Sequence, residues 1–332
     1  MTQFPYFQQL SLTPTIVFED YWWFAAERHR ILERRLAEQP APWTQDPILQ
    51  RFKFTNTFRT ADRIGQYLLR EIVNQPSSDQ HELFFKIILF KIFNTETAWE
   101  LLRQGLGAEP KPGPGWRKAI DEILIEAMEE GIVFWSAAYV MNQKYQVDLK
   151  YKHSRYLALL EQMLDKELPA KLASTNSYQA AFGLLRGYTL MGNFVAMQYL
   201  TDLNYSRLID FSENDFIMAG PGAFRGINKC FGLNLNPNKQ VDRELAAEII
   251  RVTMEQQDQC LALVGEKPIR LMGKRPLSLI DCQNVYCETD KYSRVAHPDL
   301  NRKASDRIKQ TFKPTNGAQL PALVLPEKWH DQ

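Results

Sequence analysis

The chain has 332 residues, of which 45% are hydrophobic and 12% aromatic, and its formal net charge is +1. This composition excludes a disordered or fibrous chain and leaves room for one large domain or two modest ones. The near-neutral balance excludes nothing about nucleic acid, because basic residues can gather on one face.

Most of the chain carries helical periodicity. Phe18–Leu36 opens on Glu19 and Asp20 and closes on Arg34 and Arg35, the order a helix dipole favours, with Trp22, Ala25, Ala26 and Leu32 as its apolar stripe. Thr60–Val73 places Ile64, Tyr67, Leu68 and Ile72 at helical spacing, and His81–Phe93 is apolar nearly all round, the pattern of a buried helix. Thr95–Arg103 and Trp116–Glu130 follow, separated by the glycine- and proline-rich loop Gly105–Gly115. Helices are predicted over Ser154–Leu168, Ser177–Met191 and Asn193–Leu203, then Arg225–Phe231, Asp242–Val264, Pro276–Tyr292 and a basic Leu300–Phe312. From Pro314 a proline-containing tail is expected to lie extended on the surface. No repeat and no strand series is visible. The expected fold is mainly α: a single helical domain over 1–313, perhaps best described as two-lobed, with a break near 105–115 or 172–177, and a tail over 314–332.

Four cysteines suit a reducing compartment, and the lone C-x4-C of Cys282 and Cys287 lacks the second pair a structural zinc needs, so no metal and no cofactor is expected. Met1–Leu12 has no basic leader, and Leu83–Phe93 is too short to span a bilayer and carries Lys86 and Lys91. A soluble, cytoplasmic protein without membrane attachment follows. Its oligomeric state is not legible. Positive charge gathers locally: residues 51–70 hold Arg51, Lys53, Arg59, Arg63 and Arg70 against Asp62 alone, and residues 291–313 carry a similar excess. Solvated helix faces account for such runs as readily as a partner does.

Three stretches carry candidate chemistry. In the first, Phe54–Arg63, a helix from about Thr57 would put Arg59, Asp62 and Arg63 on one face, a pair of cations beside a carboxylate, with Asn56 as cap or base reader. A capped helix with a structural ion pair explains it equally. In the second, Asn193–Phe231, a helix, the turn Gly220-Pro221-Gly222 and another helix have the form of a helix–hairpin–helix element. Its amides would meet a DNA phosphate, and Arg225 and Lys229 would present charge. An ordinary helix–helix turn needs the same glycines, and Asp202 and Asp215 flank it. The third, Cys287–Tyr292, places Glu288, Lys291 and Tyr292 on one helical face, suited to activating water or stabilising a cationic sugar, or else forming a common i,i+3 ion pair.

Taken in order, Pro42-Trp43-Thr44-Gln45-Asp46-Pro47-Ile48-Leu49, Phe52-Lys53-Phe54-Thr55-Asn56, Phe58-Arg59, the Gly220–Gly226 turn and Cys287-Glu288 with Lys291-Tyr292 resemble a helical family. It is the 5-hydroxymethyl-deoxyuridine DNA kinase helical domain, or α-glutamyl/putrescinyl thymine pyrophosphorylase, family, and the resemblance runs from about Trp23 to Arg294. It implies a relative of helix–hairpin–helix DNA glycosylases, linked to hypermodified phage thymines. Asn56, Arg59, Asp62, Gly220, Gly222, Arg225, Gly226, Glu288 and Lys291 are the implied site positions. The glycosylase pattern of a hairpin lysine and a nearby aspartate is not matched, since Lys229 falls late and Asp242 is distant.

The leading expectation is an enzyme that flips a 5-substituted, hypermodified pyrimidine from double-stranded DNA and cleaves its N-glycosidic bond, in a role against phage. Glu288, Asp62 and Asp202 are its candidate carboxylates, in that order, and Arg63, Lys229, Lys291 and Arg294 add contacts to DNA. Trp43, Phe54, Phe58, Trp135, Tyr139 and Phe224 are candidate stacking partners. Displacement at the pyrimidine 5-methylene by an amine or amino acid is the alternative reaction, and a non-catalytic modified-DNA binding module the alternative class. A kinase has no support in the motifs: there is no G-x-x-x-x-G-K-[S/T] loop and no Rossmann fingerprint.

Overall fold

Short polar residues start many of the helices. Thr15, Asp46, Asp79, Thr95 and Ser177 each accept a backbone amide of the first turn through the side chain, and Ser278 and Asp281 form a reciprocal capping box. In the computed structural model the described residues are 3–76, 79–136, 149–300, 308, 310–313 and 320–330. Their helices are α1 (Ile16–Leu36), α2 (Pro47–Arg51), α3 (Arg63–Leu68), α4 (Gln80–Phe93), α5 (Glu96–Leu106), α6 (Trp116–Glu129) and α7 (Lys152–Asp165). These are followed by α8 (Leu168–Ala173), α9 (Tyr178–Arg186), α10 (Asn193–Leu203), α11 (Pro221–Phe231), α12 (Gln240–Glu255), α13 (Gln257–Leu263) and α14 (Leu279–Ala296). Among the described residues β pairing is confined to two isolated bridges, Phe52 with Thr311 and Leu271 with Arg275. The fold is mainly α, as the periodicity predicts.

The chain divides into two compact units, residues 1–62 with 216–323, and residues 63–215 with 324–332. The divisions fall at 62–63, 215–216 and 323–324; the two break points expected from composition, 105–115 and 172–177, both lie inside the second unit. In the first unit α14 is the central helix, packed by α1, α11 and α12. Phe18, Tyr21, Trp22, Phe231 and Tyr286 fill the space between them, and the Tyr21 hydroxyl donates to the Cys282 carbonyl at 3.1 Å. The second unit is organised on α4, whose apolar circumference is covered by α7, α8 and α10.

Three predicted helices are interrupted. Thr60–Val73 begins as a 3-10 turn over Arg59–Ala61, is broken by the extended backbone of Asp62, resumes as α3 and ends in a wide turn over Leu69–Val73. The break is local chemistry: the Asp62 carboxylate accepts the Asn56 amide at 2.7 Å and the Asn56 side chain donates to the Ala61 carbonyl, so side chains take backbone groups a helix would use. Asp242–Val264 divides at Gln256 into α12 and α13. Ser154–Leu168 stops at Asp165, where Glu167 turns left-handed and Pro169 opens α8.

Most of the expected helix Leu300–Phe312, and Tyr139, lie outside the described residues. Residues 310–312 run antiparallel to 51–53, with Lys53 N–H donating to the Gln310 carbonyl at 3.0 Å and Phe312 N–H to the Arg51 carbonyl at 2.9 Å. The end of the chain is anchored within the second unit. Val324 exchanges hydrogen bonds with the Gln66 side chain, and the buried Lys328 ammonium donates to the Ile209 carbonyl and Asp210.

Candidate functional site

Helix α14 divides its charged residues between two sides. Glu288 and Asp290 are two positions apart, about 200° around the helix at 100° per residue. Asp281, Lys291 and Tyr292 stand seven before, three after and four after Glu288, and so share its side. Asp290 and Ser293 share the side of Tyr286, and that side carries α11.

On the α11 side the contact is very close. A Cβ on Gly222 would lie 2.2 Å from the Cys287 sulfur and one on Gly226 2.0 Å from the Tyr286 carbonyl oxygen. These two glycines are there to let helix backbones approach. Gly220 donates its amide to the Gln283 side chain at 2.9 Å, inside the protein. Arg225, Lys229 and Arg294 converge on Asp290, which is 1% exposed, at 2.9, 2.9 and 2.6 Å. Burial pushes the Asp290 carboxyl up, but these cations outweigh burial and hold it below its ordinary value. The glycine turn read as a phosphate clamp is therefore a helix-packing joint whose Gly220 amide is already engaged. Its cations answer a buried carboxylate, and Arg225 alone among them leaves much of its side chain in solvent.

The other side of α14 faces the segment 54–62 and α1. Glu288, 5% exposed, accepts the Thr55 amide at 3.2 Å and the Lys291 ammonium at 2.6 Å. Asp281 accepts the Arg59 amide at 2.7 Å. Burial raises the Asp62 carboxyl to about 7; the Asn56 amide opposes the shift, the charge of Glu288 adds to it, and Arg28 and Arg59 oppose it. Arg28 on α1 is buried among these groups, with one nitrogen donating to the Thr55 carbonyl at 2.9 Å. Loss of solvent lowers its affinity for its proton, and Glu288 and Asp62 oppose that loss electrostatically. The result is a buried pair of carboxylates of unequal acidity beside a guanidinium, the arrangement that separates a proton donor from a permanent anion.

Next to this cluster is a cavity of about 210 Å³ bounded by Arg28, Trp43, Phe52, Phe54, Asn56 and Phe312, among others. Two of the expected stacking residues, Trp43 and Phe54, line it. Phe58 and Phe224 are core residues, and Trp135 packs against Phe93 and Tyr156 in the second unit. Tyr292 turns from Glu288 to Asp46, donating at 2.9 Å.

Of the predicted positions, Asn56, Arg59, Asp62, Glu288 and Lys291 are thus brought together. Gly220, Gly222, Arg225, Gly226, Lys229 and Arg294 belong to the opposite side of α14. Arg63 opens the second unit and is exposed, paired with Glu96 at 3.1 Å. Asp202, 1% exposed, is bonded to the Lys91 ammonium at 2.8 Å within the second unit. Its predicted catalytic role is corrected to a buried structural ion pair, since a carboxylate enclosed with its counter-ion meets no substrate. Two members were missed. Arg28 falls on the apolar stripe of α1, at helical spacing from Tyr21, Phe24 and Leu32, and a charge on a core stripe was the available signal. Asp281 was legible as the far end of the Ser278 capping box.

The decisive match is to the whole body of the chain: residues 15–302 fit the family model described as 5-hmdU DNA kinase, helical domain. The chain belongs to that family. Membership ties it to enzymes acting on a modified pyrimidine in DNA. No curated protein and no solved structure matches it. Among the described residues no helix is long and apolar enough to cross a membrane, and no three His, Cys, Asp or Glu side chains are grouped to hold a metal ion.

Proposed function

We propose that this chain draws a 5-substituted pyrimidine out of duplex DNA into the cavity beside Trp43 and Phe54 and cleaves its N-glycosidic bond. Extrusion costs a few kcal/mol, which stacking on those aromatic side chains and contacts to the DNA backbone would offset. Glu288 supplies the fixed negative charge that stabilises the sugar as it becomes cationic. Asp62, with its carboxyl raised to about 7, hands a proton to the departing base and takes one from the attacking water. The N1–C1′ bond breaks, water adds to C1′, and the base leaves protonated. The observation that carries this reading is the unequal buried carboxylate pair beside an aromatic cavity. Excision of this kind from DNA built with hypermodified bases would act against phage.

The family description favours a second reading, transfer to the 5-substituent with the base kept in DNA. Asp62 would then deprotonate a 5-hydroxymethyl group, or an amine attacking the 5-methylene. Duplexes carrying 5-hydroxymethyl-deoxyuridine or a larger 5-substituent, incubated with the protein with and without a nucleoside triphosphate, separate the two. Alkali-labile abasic sites support excision. An intact strand with a heavier base by mass spectrometry replaces it with transfer, and an unaltered duplex under every condition removes both.

A further inference from the structure

Arg28 presents a charge that the protein does not answer. The residue is 3% exposed. Its Nη1 donates to the Thr55 carbonyl, and its guanidinium carbon sits 4.3 Å from the centre of the Phe24 ring. Nε and Nη2 have no hydrogen-bond partner. Glu288 and Asp62 act on it through space, yet Glu288 is bonded to Thr55 and Lys291, and Asp62 to Asn56. A buried donor left unmade costs about 1–3 kcal/mol, and more when it belongs to a charged group.

The two idle nitrogens are not an arbitrary pair. Nε and Nη2 carry the parallel N–H bonds along one edge of the guanidinium plane, the fork that grips two oxygens of one group. Arg28 also lines the cavity. The cavity's charged lining is Arg28 and Arg35, without an acidic side chain, and its aromatic walls are Trp43, Phe52, Phe54 and Phe312. Arg35 itself lies over the Trp43 ring at 5.1 Å. A volume of about 210 Å³ corresponds to roughly seven waters, enough for one ring with a short substituent.

We infer that this cavity is a binding site for a planar ring bearing an oxyanion, either a carboxylate or a phosphoryl group, whose oxygens sit on Nε and Nη2 of Arg28 while the ring meets Trp43 and Phe54. The anion site stands on the fork and the cavity alone. Only the identity of the ring as a pyrimidine rests on the proposed function, where it makes an acidic 5-substituent a better ligand than a neutral hydroxymethyl.

Calorimetric titration of the full chain with benzoate, phenyl phosphate and benzyl alcohol tests the site without a pyrimidine. At least one acid is expected to bind tenfold or more tightly than the alcohol, and the tighter of the two acids identifies the oxyanion. Arg28→Lys keeps a charge but loses the fork, and should reduce the preference to under threefold. Phe54→Ala should weaken acid and alcohol alike. Equal binding of acid and alcohol by the unaltered protein, no binding of either acid, or a preference unchanged in Arg28→Lys would each overturn the inference. Should Arg28→Lys fail to fold, the ratio measured on the unaltered protein decides. 5-Carboxy-2′-deoxyuridine bound tenfold more tightly than 5-hydroxymethyl-2′-deoxyuridine extends the site to the pyrimidine. Benzoate bound without that difference keeps the anion site and removes the pyrimidine from it.

Discussion

Gly226 lies so close to Tyr286 that a Cβ at position 226 would stand 2.0 Å from the Tyr286 carbonyl oxygen. Backbone cannot rotate out of the way as a side chain can, so α11 and α14 are held at a separation that only glycine permits. Gly226→Ala is expected to destabilise the protein by about 3 kcal/mol or more. Gly183, in α9, has nothing within 4 Å of its would-be Cβ, and Gly183→Ala should be neutral or stabilising by up to about 1 kcal/mol. Urea denaturation of both variants checks the contrast, and equal stabilities would remove the packing role of Gly226.

Glu288→Gln keeps an oxygen for the Thr55 amide and removes the charge that faces Lys291 and Arg28. Product formation from modified DNA should fall by about a hundredfold or more. Binding of the same duplex, followed by fluorescence anisotropy, should change less than threefold. A variant with undiminished turnover would leave Glu288 as a structural ion-pair partner.

Asp62 should imprint its proton on both stability and rate. Its carboxyl titrates near 7 when folded, against about 4 when unfolded. The folded state therefore holds an extra proton between those values, and the stability contributed by this group falls as pH climbs from about 4 to about 7, then levels. Asp62→Asn removes that slope, and near pH 8 the difference favours the variant by at most about 4 kcal/mol. Urea-derived stabilities measured from pH 4 to pH 8 on both proteins give the comparison; parallel curves would mean Asp62 titrates normally. With Asp62 as proton donor the reaction rate should also decline above pH 7.

Asp202→Asn should behave quite differently from Glu288→Gln. It strands the Lys91 ammonium in the interior of the second unit, a loss of about 3–5 kcal/mol. Thermal melting should drop sharply, while protein that remains folded at low temperature should turn over modified DNA at the normal rate. A folded, stable, inactive variant would return Asp202 to the catalytic candidates.

The helices on either side of the site were legible because burial leaves a period in the sequence. Phe18–Leu36 and Asn193–Leu203 were found nearly whole, the second with its observed bounds. The 54–62 segment was chosen for the right residues and given the wrong backbone: Asn56 and Asp62 close a loop through side-chain hydrogen bonds, and periodicity carries no record of such competition.

The sequence by itself determined that this is a helical protein of the 5-hmdU DNA kinase helical-domain kind, with Glu288, Asp62 and Asn56 as candidates for one site. Local pattern and motif order are properties of the chain, readable before it folds. Only the tertiary structure decided that the glycines of 220–226 serve contact between helices, that Asp202 is enclosed with Lys91, and that Arg28 lies buried with two nitrogens unmatched beside a cavity. Those outcomes depend on which sides of α1, α11 and α14 meet, and a hydrogen bond between residues more than two hundred positions apart, such as Thr55 to Glu288, leaves no trace in the order of either segment.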